Sequence, residues 1–187
     1  LESLYRKMLM AGISLNLKTI ITHPDTFEPK LNEKSENIGF PAEAGKLCDI
    51  FDVEYSREPR WITPKLLYLG EIPKYFNTDY KYKDETALAY KGENGLTLVV
   101  GCSHIGIPNI VEYARKVTGE PRIETFIGGI FLNNKTEYKI RELGIYLRDL
   151  NIKNFYPCHC CDLRSKIILS EYVKMNDVYS GLRITVN

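Results

Sequence analysis

The segment from Gly95 to Asn109, GLTLVVGCSHIGIPN, constrains the fold most, because it joins a strand, a turn and the start of a helix. Leu96 to Val100 is a short apolar run rich in β-branched residues, which predicts a strand. Pro108 suits the first turn of a helix, and Ile110 to Val117 carries helical apolar spacing. His104 is therefore predicted at the carboxyl end of a strand, where open α/β sheets collect their ligands.

Composition predicts one ordinary α/β domain. The 187 residues are 44% hydrophobic, enough to bury a core. A net charge of +1 gives no support for a nucleic-acid or membrane surface. No apolar run approaches the roughly 18 residues of a membrane span, and the first residues lack the features of a signal peptide. We therefore expect a cytoplasmic protein with a small-molecule substrate and no nucleic-acid or membrane partner.

The order of predicted elements indicates a mixed sheet covered by helices. The prediction is, in chain order, a helix at Glu2–Ala11, strands at Lys18–Thr22, Leu47–Tyr55 and Arg60–Leu69, a hairpin of Thr86–Tyr90 and Leu96–Val100, a helix from Pro108, a strand at Ile123–Ile127, a helix at Lys135–Leu150, a strand at Asn154–Pro157, a further helix, and a last strand at Leu182–Val186. The hairpin turn is predicted at Asn94-Gly95. The tyrosine- and lysine-rich stretch between Gly70 and Asp84 is interpreted as a flexible, solvated insertion, with a phosphate or nucleotide surface as the alternative.

A second segment with candidate metal ligands, YPCHCCD from Tyr156 to Asp162, lies at the end of another predicted strand. His159 stands there between cysteines. Neutral imidazoles bind zinc or iron, and neighbouring strand ends can bring two of them together, so His104 and His159 are the candidate metal ligands. The alternative for each is a hydrogen-bonded loop histidine. His23, which precedes Pro24, is interpreted as structural.

Three further side chains are pocket candidates: Cys102, Cys160 and Asp162. The five cysteines are an odd count, and three crowd into residues 158–161, which favours reduced thiols or metal ligands over disulfides. A cluster held by four thiolates is disfavoured, because adjacent Cys160 and Cys161 diverge in extended chain and no C-x-x-C pair is present. The favoured alternative is small packed thiols beside a histidine site. Gly128 and Gly129 would let backbone or an ion approach closely.

Three motifs in this order, GLTLVVGCSH, FIGGIFL and FYPCHC, resemble the later motifs of the metallo-β-lactamase superfamily. With HPDTF and GEIP upstream, the whole chain is similar to a branch of dihydropterin-linked ribofuranosylaminobenzene phosphate synthase-like proteins. The resemblance implies an αββα-sandwich metallo-hydrolase fold. It also implies that His104 and His159 are ligands of a dinuclear metal site, with zinc favoured and iron or manganese as alternatives.

The chain departs from this family pattern in two ways. The family's His-any-His-any-Asp-His segment is absent, and LESLYRKM resembles the sequence directly after it, so we expect a single truncated domain over residues 1–187 without its first strands and with a metal site that could be empty. Phe131 stands where the pattern has histidine, and Cys161 and Asp162 replace threonine and glycine.

Three functional hypotheses remain open. The first is a metal-dependent hydrolase in which two cations activate water for attack on an ester, amide or phosphate-bearing substrate. Its catalytic residues beyond the metal ligands are unknown. The second, implied by the branch, is a pterin-cofactor synthase. The third is a catalytically silent domain that binds or dimerises. Since a half-sandwich exposes one sheet face, we also expect a homo-oligomer.

Overall fold

The computed structural model describes residues 19–32, 34–40 and 51–186, together with Lys7, Met10 and Cys48. They fall in two compact units, Leu1–Ser56 and Arg57–Asn187. The predicted helix at Glu2–Ala11 lies largely outside the described residues, although Lys7 and Met10 are helical. The expectation of one truncated domain stays a prediction.

The first unit contains a small parallel sheet. Strand β1, Thr19–Thr22, pairs with β2, Asp52–Tyr55. His23 follows β1 and caps a single 3-10 turn, Pro24–Phe27, because its Nδ1 accepts a hydrogen bond from the Asp25 amide at 3.1 Å. The residue is 1% exposed. The structural role predicted for His23 is confirmed.

The second unit contains a six-stranded mixed sheet, as predicted. Its strands, in both chain and spatial order, are β3 (Arg60–Trp61), β4 (Leu66–Tyr68), β5 (Ala87–Lys91), β6 (Leu96–Cys102), β7 (Ile123–Gly129) and β8 (Asn154–Pro157). Strands β3 to β6 are antiparallel, whereas β6, β7 and β8 are parallel. The three parallel strands therefore bring their carboxyl ends to one edge of the sheet.

In the second unit, two strand predictions are wrong. Arg60–Leu69 is not one strand but the hairpin β3–β4, which turns where the Thr63 hydroxyl accepts a hydrogen bond from the Leu66 amide at 3.0 Å. Pro64 lies in this turn, where its fixed backbone angle interrupts pairing. Leu182–Val186 is irregular, because alternating apolar residues form a strand only where a neighbouring strand pairs with them.

Three helices follow the strands of this unit: α1 (Ile107–Thr118), α2 (Glu137–Asp149) and α3 (Leu163–Ser170). Helix α1 has proline in its first turn and ends at Gly119, which adopts the left-handed conformation and donates its N–H to the Arg115 carbonyl. Ile110 of α1 and Leu147 of α2 are fully buried with Leu98 of β6 in one core. Each such side chain stabilises the fold by about 1.5–3 kcal/mol.

Among the described residues, no helix combines the length and apolar character needed to cross a bilayer.

Candidate metal centre

The turn that carries His104 is held by a buried carboxylate. Glu85 lies two residues before the start of β5, and its side chain is 7% exposed. Its two oxygens accept hydrogen bonds from the His104 and Ile105 amides, each at 2.8 Å. The same carboxylate lies 3.7 Å from His104 Nδ1. Glu85 thus fixes the backbone of the turn and faces one side of the imidazole.

Two aromatic rings confine the His104 imidazole. Tyr80 stacks on it with ring centroids 5.3 Å apart and planes 14° apart, and Phe131 packs at 4.6 Å. The His104 side chain nevertheless stays 38% exposed. Phe131, which replaces the family's histidine, therefore contributes a packing surface where a ligand would stand.

The segment interpreted as a solvated insertion is folded onto this turn, so that interpretation is wrong for its central part. Buried Asn109 accepts a hydrogen bond from the Phe76 amide at 2.7 Å and donates one to the Phe76 carbonyl at 3.2 Å. The Thr78 hydroxyl donates to the His104 carbonyl at 3.3 Å. Tyr80 is half-buried as a result, and burial together with Asp84 raises its pKa.

The loop that carries His159 is tied to the end of β7 by backbone hydrogen bonds. The Cys158 amide donates to the Gly128 carbonyl at 2.8 Å, and the Ile130 amide donates to the His159 carbonyl at 2.9 Å. A methyl group on Gly129 would stand 2.6 Å from His159 Nε2. The close approach predicted for this glycine is confirmed, and it is the His159 ring that uses the space.

Two pocket candidates meet His159. One donor atom each from Cys102, His159 and Cys160 lie within 4.8 Å of one another. Burial, followed by the hydrogen bond to Cys160, raises the pKa of the Cys102 thiol to about 12. This group does not include His104. The shared centre of His104 and His159 therefore stays a prediction.

The third pocket candidate, Asp162, and its neighbour Cys161 have structural contacts. Asp162 is the N-cap of α3, where its carboxylate accepts a hydrogen bond from the Ser165 amide at 2.7 Å. That bond lowers the pKa of Asp162. Cys161 packs against the core, and burial raises the pKa of its thiol to about 11.

A cleft of about 520 Å³ opens beside His104. Its walls come from the turn after β6, the segment around Thr78 and the amino-terminal half of α2. Four charged residues line it: Asp79, Lys135, Lys139 and Glu142. Lys135 lies 4.0 Å from the Asp79 carboxylate. The cleft has the volume of a small-molecule site and carries equal numbers of positive and negative side chains.

Sequence reasoning missed Glu85 and Asn109. Ala87 pairs with Val100 in the hairpin, so the register extended by two residues places Glu85 opposite Cys102, beside the turn. The predicted Asn94-Gly95 turn contained this signal. No comparable signal marked the contact of Asn109 with Phe76, because the two residues lie 33 positions apart along the chain.

The donor set present in the chain suits a borderline or soft cation. Imidazole nitrogen and thiolate sulfur are the ligands that zinc takes in proteins. A catalytic zinc needs about three protein ligands and an open position, which is the number of donors that Cys102, His159 and Cys160 supply. The described residues therefore include one group of donors that fits a zinc-class ion.

Comparisons with known proteins agree with this fold. No protein-family model matches the chain. The 7,8-dihydropterin-6-methyl-4-(β-D-ribofuranosyl)-aminobenzene-5'-phosphate synthase of Methanocaldococcus jannaschii is 28% identical over 138 aligned positions, covering 64% of this chain and 47% of the relative. An uncharacterized protein of the same organism is 25% identical over 169 positions, covering 81% and 62%. The chain thus spans about half to three-fifths of the length of these curated relatives.

A solved structure shows the same architecture. The crystal structure of a metal-dependent hydrolase of the β-lactamase superfamily matches with a TM-score of 0.81 at 22% identity, covering 92% of this chain and 72% of that chain. The mixed sheet and its helices therefore have the α/β fold of the metallo-β-lactamase superfamily. The similarity to a dihydropterin-linked synthase, inferred from the motifs, is confirmed.

Proposed function

We propose that the chain carries part of the active site of a metal-dependent hydrolase, in which His104 and His159 bind divalent metal and the adjacent cleft holds a small ester, amide or phosphate-bearing substrate. The observation that carries the proposal is the position of His104. Its ring stands at the carboxyl end of β6, confined by two aromatic rings, and lines the cleft of about 520 Å³. This combination is typical of a ligand site in an α/β sheet.

The chain's own residues orient the imidazole and shape the cleft. Glu85 holds the turn through two amides, and Tyr80 and Phe131 restrict the ring. Such surrounding contacts keep a ligand imidazole in one orientation. When bound, the metal would supply a water of lowered pKa as the nucleophile. Zinc is the favoured ion, with iron or manganese as alternatives.

Metal analysis of the purified 187-residue chain, followed by a screen of ester, amide and phosphoester substrates, tests this proposal. A content of about two metal equivalents, the number in a dinuclear site, favours the hydrolase. His104→Ala and His159→Ala should each lower the metal content and abolish hydrolysis. His23→Asn is the matched control, because asparagine can also cap the 3-10 turn. A metal content below about a tenth of an equivalent, or full retention in both alanine variants, contradicts the proposal.

A second candidate is the synthase reaction, a condensation of a dihydropterin with an aminobenzene ribofuranosyl phosphate. The 28% identity to the M. jannaschii synthase favours it. The test incubates the metal-loaded chain with both compounds and follows the condensed product by mass spectrometry. Product that depends on His104 supports this reaction over hydrolysis, whereas hydrolysis without condensation excludes it.

A third candidate is a silent module that associates with a second copy of itself. Val99 lies within β6 and is 43% exposed, on the opposite face of the strand from buried Leu98 and Val100. Light scattering over a concentration series tests the association. We expect a dimer, and a single monomeric species at every concentration contradicts it.

A further inference from the structure

We propose that Cys102, His159 and Cys160 form a thiophilic metal site of their own, which binds one zinc-class ion through two thiolates and one imidazole nitrogen. The inference goes beyond the proposed hydrolase. It shares His159 with that proposal, but it requires neither His104 nor hydrolysis.

The first support is the distance between the donors. In a tetrahedral zinc site with bonds of about 2.0–2.3 Å, neighbouring sulfur and nitrogen donors stand roughly 3.5–3.8 Å apart. The three donors of this chain lie within 4.8 Å of one another, so closure shortens each donor-to-donor distance by at most about 1.3 Å. Rotation about side-chain bonds can supply such movements.

The second support is the backbone that aims the two thiols. The pairing of β6 with β7 shifts register between Val100 and Cys102, and such irregularities redirect a side chain at the end of a strand. Cys160 has a φ of +56°, in the left-handed region that residues with a Cβ seldom adopt. The Leu132 amide holds this residue by donating to the Cys160 carbonyl at 2.9 Å. Two unusual backbone conformations thus place two sulfur atoms beside one imidazole.

The third support is the space for His159. Any side chain at Gly129 would collide with the His159 ring, since its Cβ would lie 2.6 Å from Nε2. Gly129 is paired with Cys102 across β6 and β7, so the missing side chain leaves room beside the thiol. The His159 imidazole therefore occupies the space that a side chain at Gly129 would fill, close to the two sulfur atoms.

The site has the composition of a zinc centre with an open position. His159 is exposed and both cysteines are half-buried, so solvent or a small ligand has access to the fourth coordination position. Metal binding would release the two thiol protons to solvent, because zinc binds thiolates. Cys158 and Cys161 are outside the group of three donors, which makes them internal controls.

Cobalt(II) titration of the reduced full chain tests the proposal by absorption spectroscopy. We expect thiolate-to-cobalt charge-transfer absorption that saturates at one equivalent and is displaced by zinc. Cys102→Ser and Cys160→Ser should each lose most of it, and His159→Ala should weaken cobalt binding at least about 10-fold. Cys161→Ser and Cys158→Ser should retain the wild-type spectrum. Circular dichroism verifies that each variant is folded.

Alkylation of the wild-type chain gives a test that needs no variant. Zinc should protect Cys102 and Cys160 from alkylation, mapped by mass spectrometry, and leave Cys158 reactive. Absence of the charge-transfer band, its survival in the Cys102→Ser/Cys160→Ser double variant, or no difference in alkylation overturns the proposal. A band without hydrolysis would reject only the hydrolase. Hydrolysis that depends on His104 without a band would reject only the thiolate site.

Discussion

Replacing Glu85 with glutamine tests whether this carboxylate organises the His104 turn. Glu85 accepts hydrogen bonds from two amides at 2.8 Å each. Glutamine has one acceptor oxygen, so its NH₂ group would face one of the two amide donors. The loss of a hydrogen bond to a charged acceptor costs about 1.5–3 kcal/mol, and an unsatisfied buried N–H costs a comparable amount. Because these two costs overlap, we expect Glu85→Gln to lower the free energy of unfolding by about 2–3 kcal/mol.

Amide hydrogen exchange locates the effect of this substitution. A local loss of about 2–3 kcal/mol corresponds to roughly 30- to 150-fold faster exchange of the His104 and Ile105 amides. The melting temperature should fall by about 4–12 °C for a chain of this size. Glu93→Gln is the control, because Glu93 is exposed and uses only its backbone carbonyl as an acceptor for Arg122. Unchanged exchange at the two amides in Glu85→Gln would refute the reasoning.

Three further substitutions test the surroundings of the site. Asn109→Ala removes the two hydrogen bonds between Asn109 and the Phe76 backbone and should lower the free energy of unfolding by about 1–3 kcal/mol. Limited proteolysis of residues 73–84 should become faster, and unchanged cleavage would contradict this role of Asn109. Gly144→Ala places a methyl group 2.5 Å from the Tyr172 ring and should lower the free energy of unfolding by about 1–3 kcal/mol in urea denaturation; a neutral result would show that the ring moves aside. Asp162→Ala removes the N-cap of α3. Because folding lowers the pKa of Asp162, the ionised cap stabilises the folded chain fully above the unfolded pKa, and this stabilisation is lost as the pH falls through the folded pKa. The melting temperatures of Asp162→Ala and wild type should therefore converge in acid, and a constant difference contradicts this role.

The strand ends of this fold could be predicted from the sequence because they depend on local patterns. The apolar run of β6, the Asn94-Gly95 turn and the proline of α1 each specify an element without distant partners. The prediction of a single strand at Arg60–Leu69 was wrong because the outcome there depends on a distant partner strand. Its apolar residues fit one strand as well as two, and only the pairing of β4 with β5 decides between them.

The site could be predicted only in part, because its parts differ in how local they are. His104 and His159 stand directly after strands, so their edge of the sheet followed from the chain order. The hydrogen bonds that fix His104 come from residues 19 and 26 positions away, and the aromatic stack with Tyr80 arises in a segment with no periodicity. The argument against a four-thiolate cluster assumed that Cys160 and Cys161 stand in extended chain and diverge, and the group of three donors leaves Cys161 out. It did not exclude two thiolates, because the left-handed backbone of Cys160 has no signature in the sequence.

The identity of the bound metal distinguishes the two proposed centres, because their donor sets differ in softness. Thiolates select zinc or copper(I), whereas manganese prefers carboxylate, carbonyl and water oxygens. A chain that binds zinc and cobalt through Cys102 and Cys160 but takes up no manganese would have its metal at the thiolate site. Manganese bound with His104 intact would instead require oxygen ligands beside the imidazole. Competition between zinc and manganese therefore distinguishes metal bound at the thiolate site from metal bound beside His104, and the measurement needs no substrate.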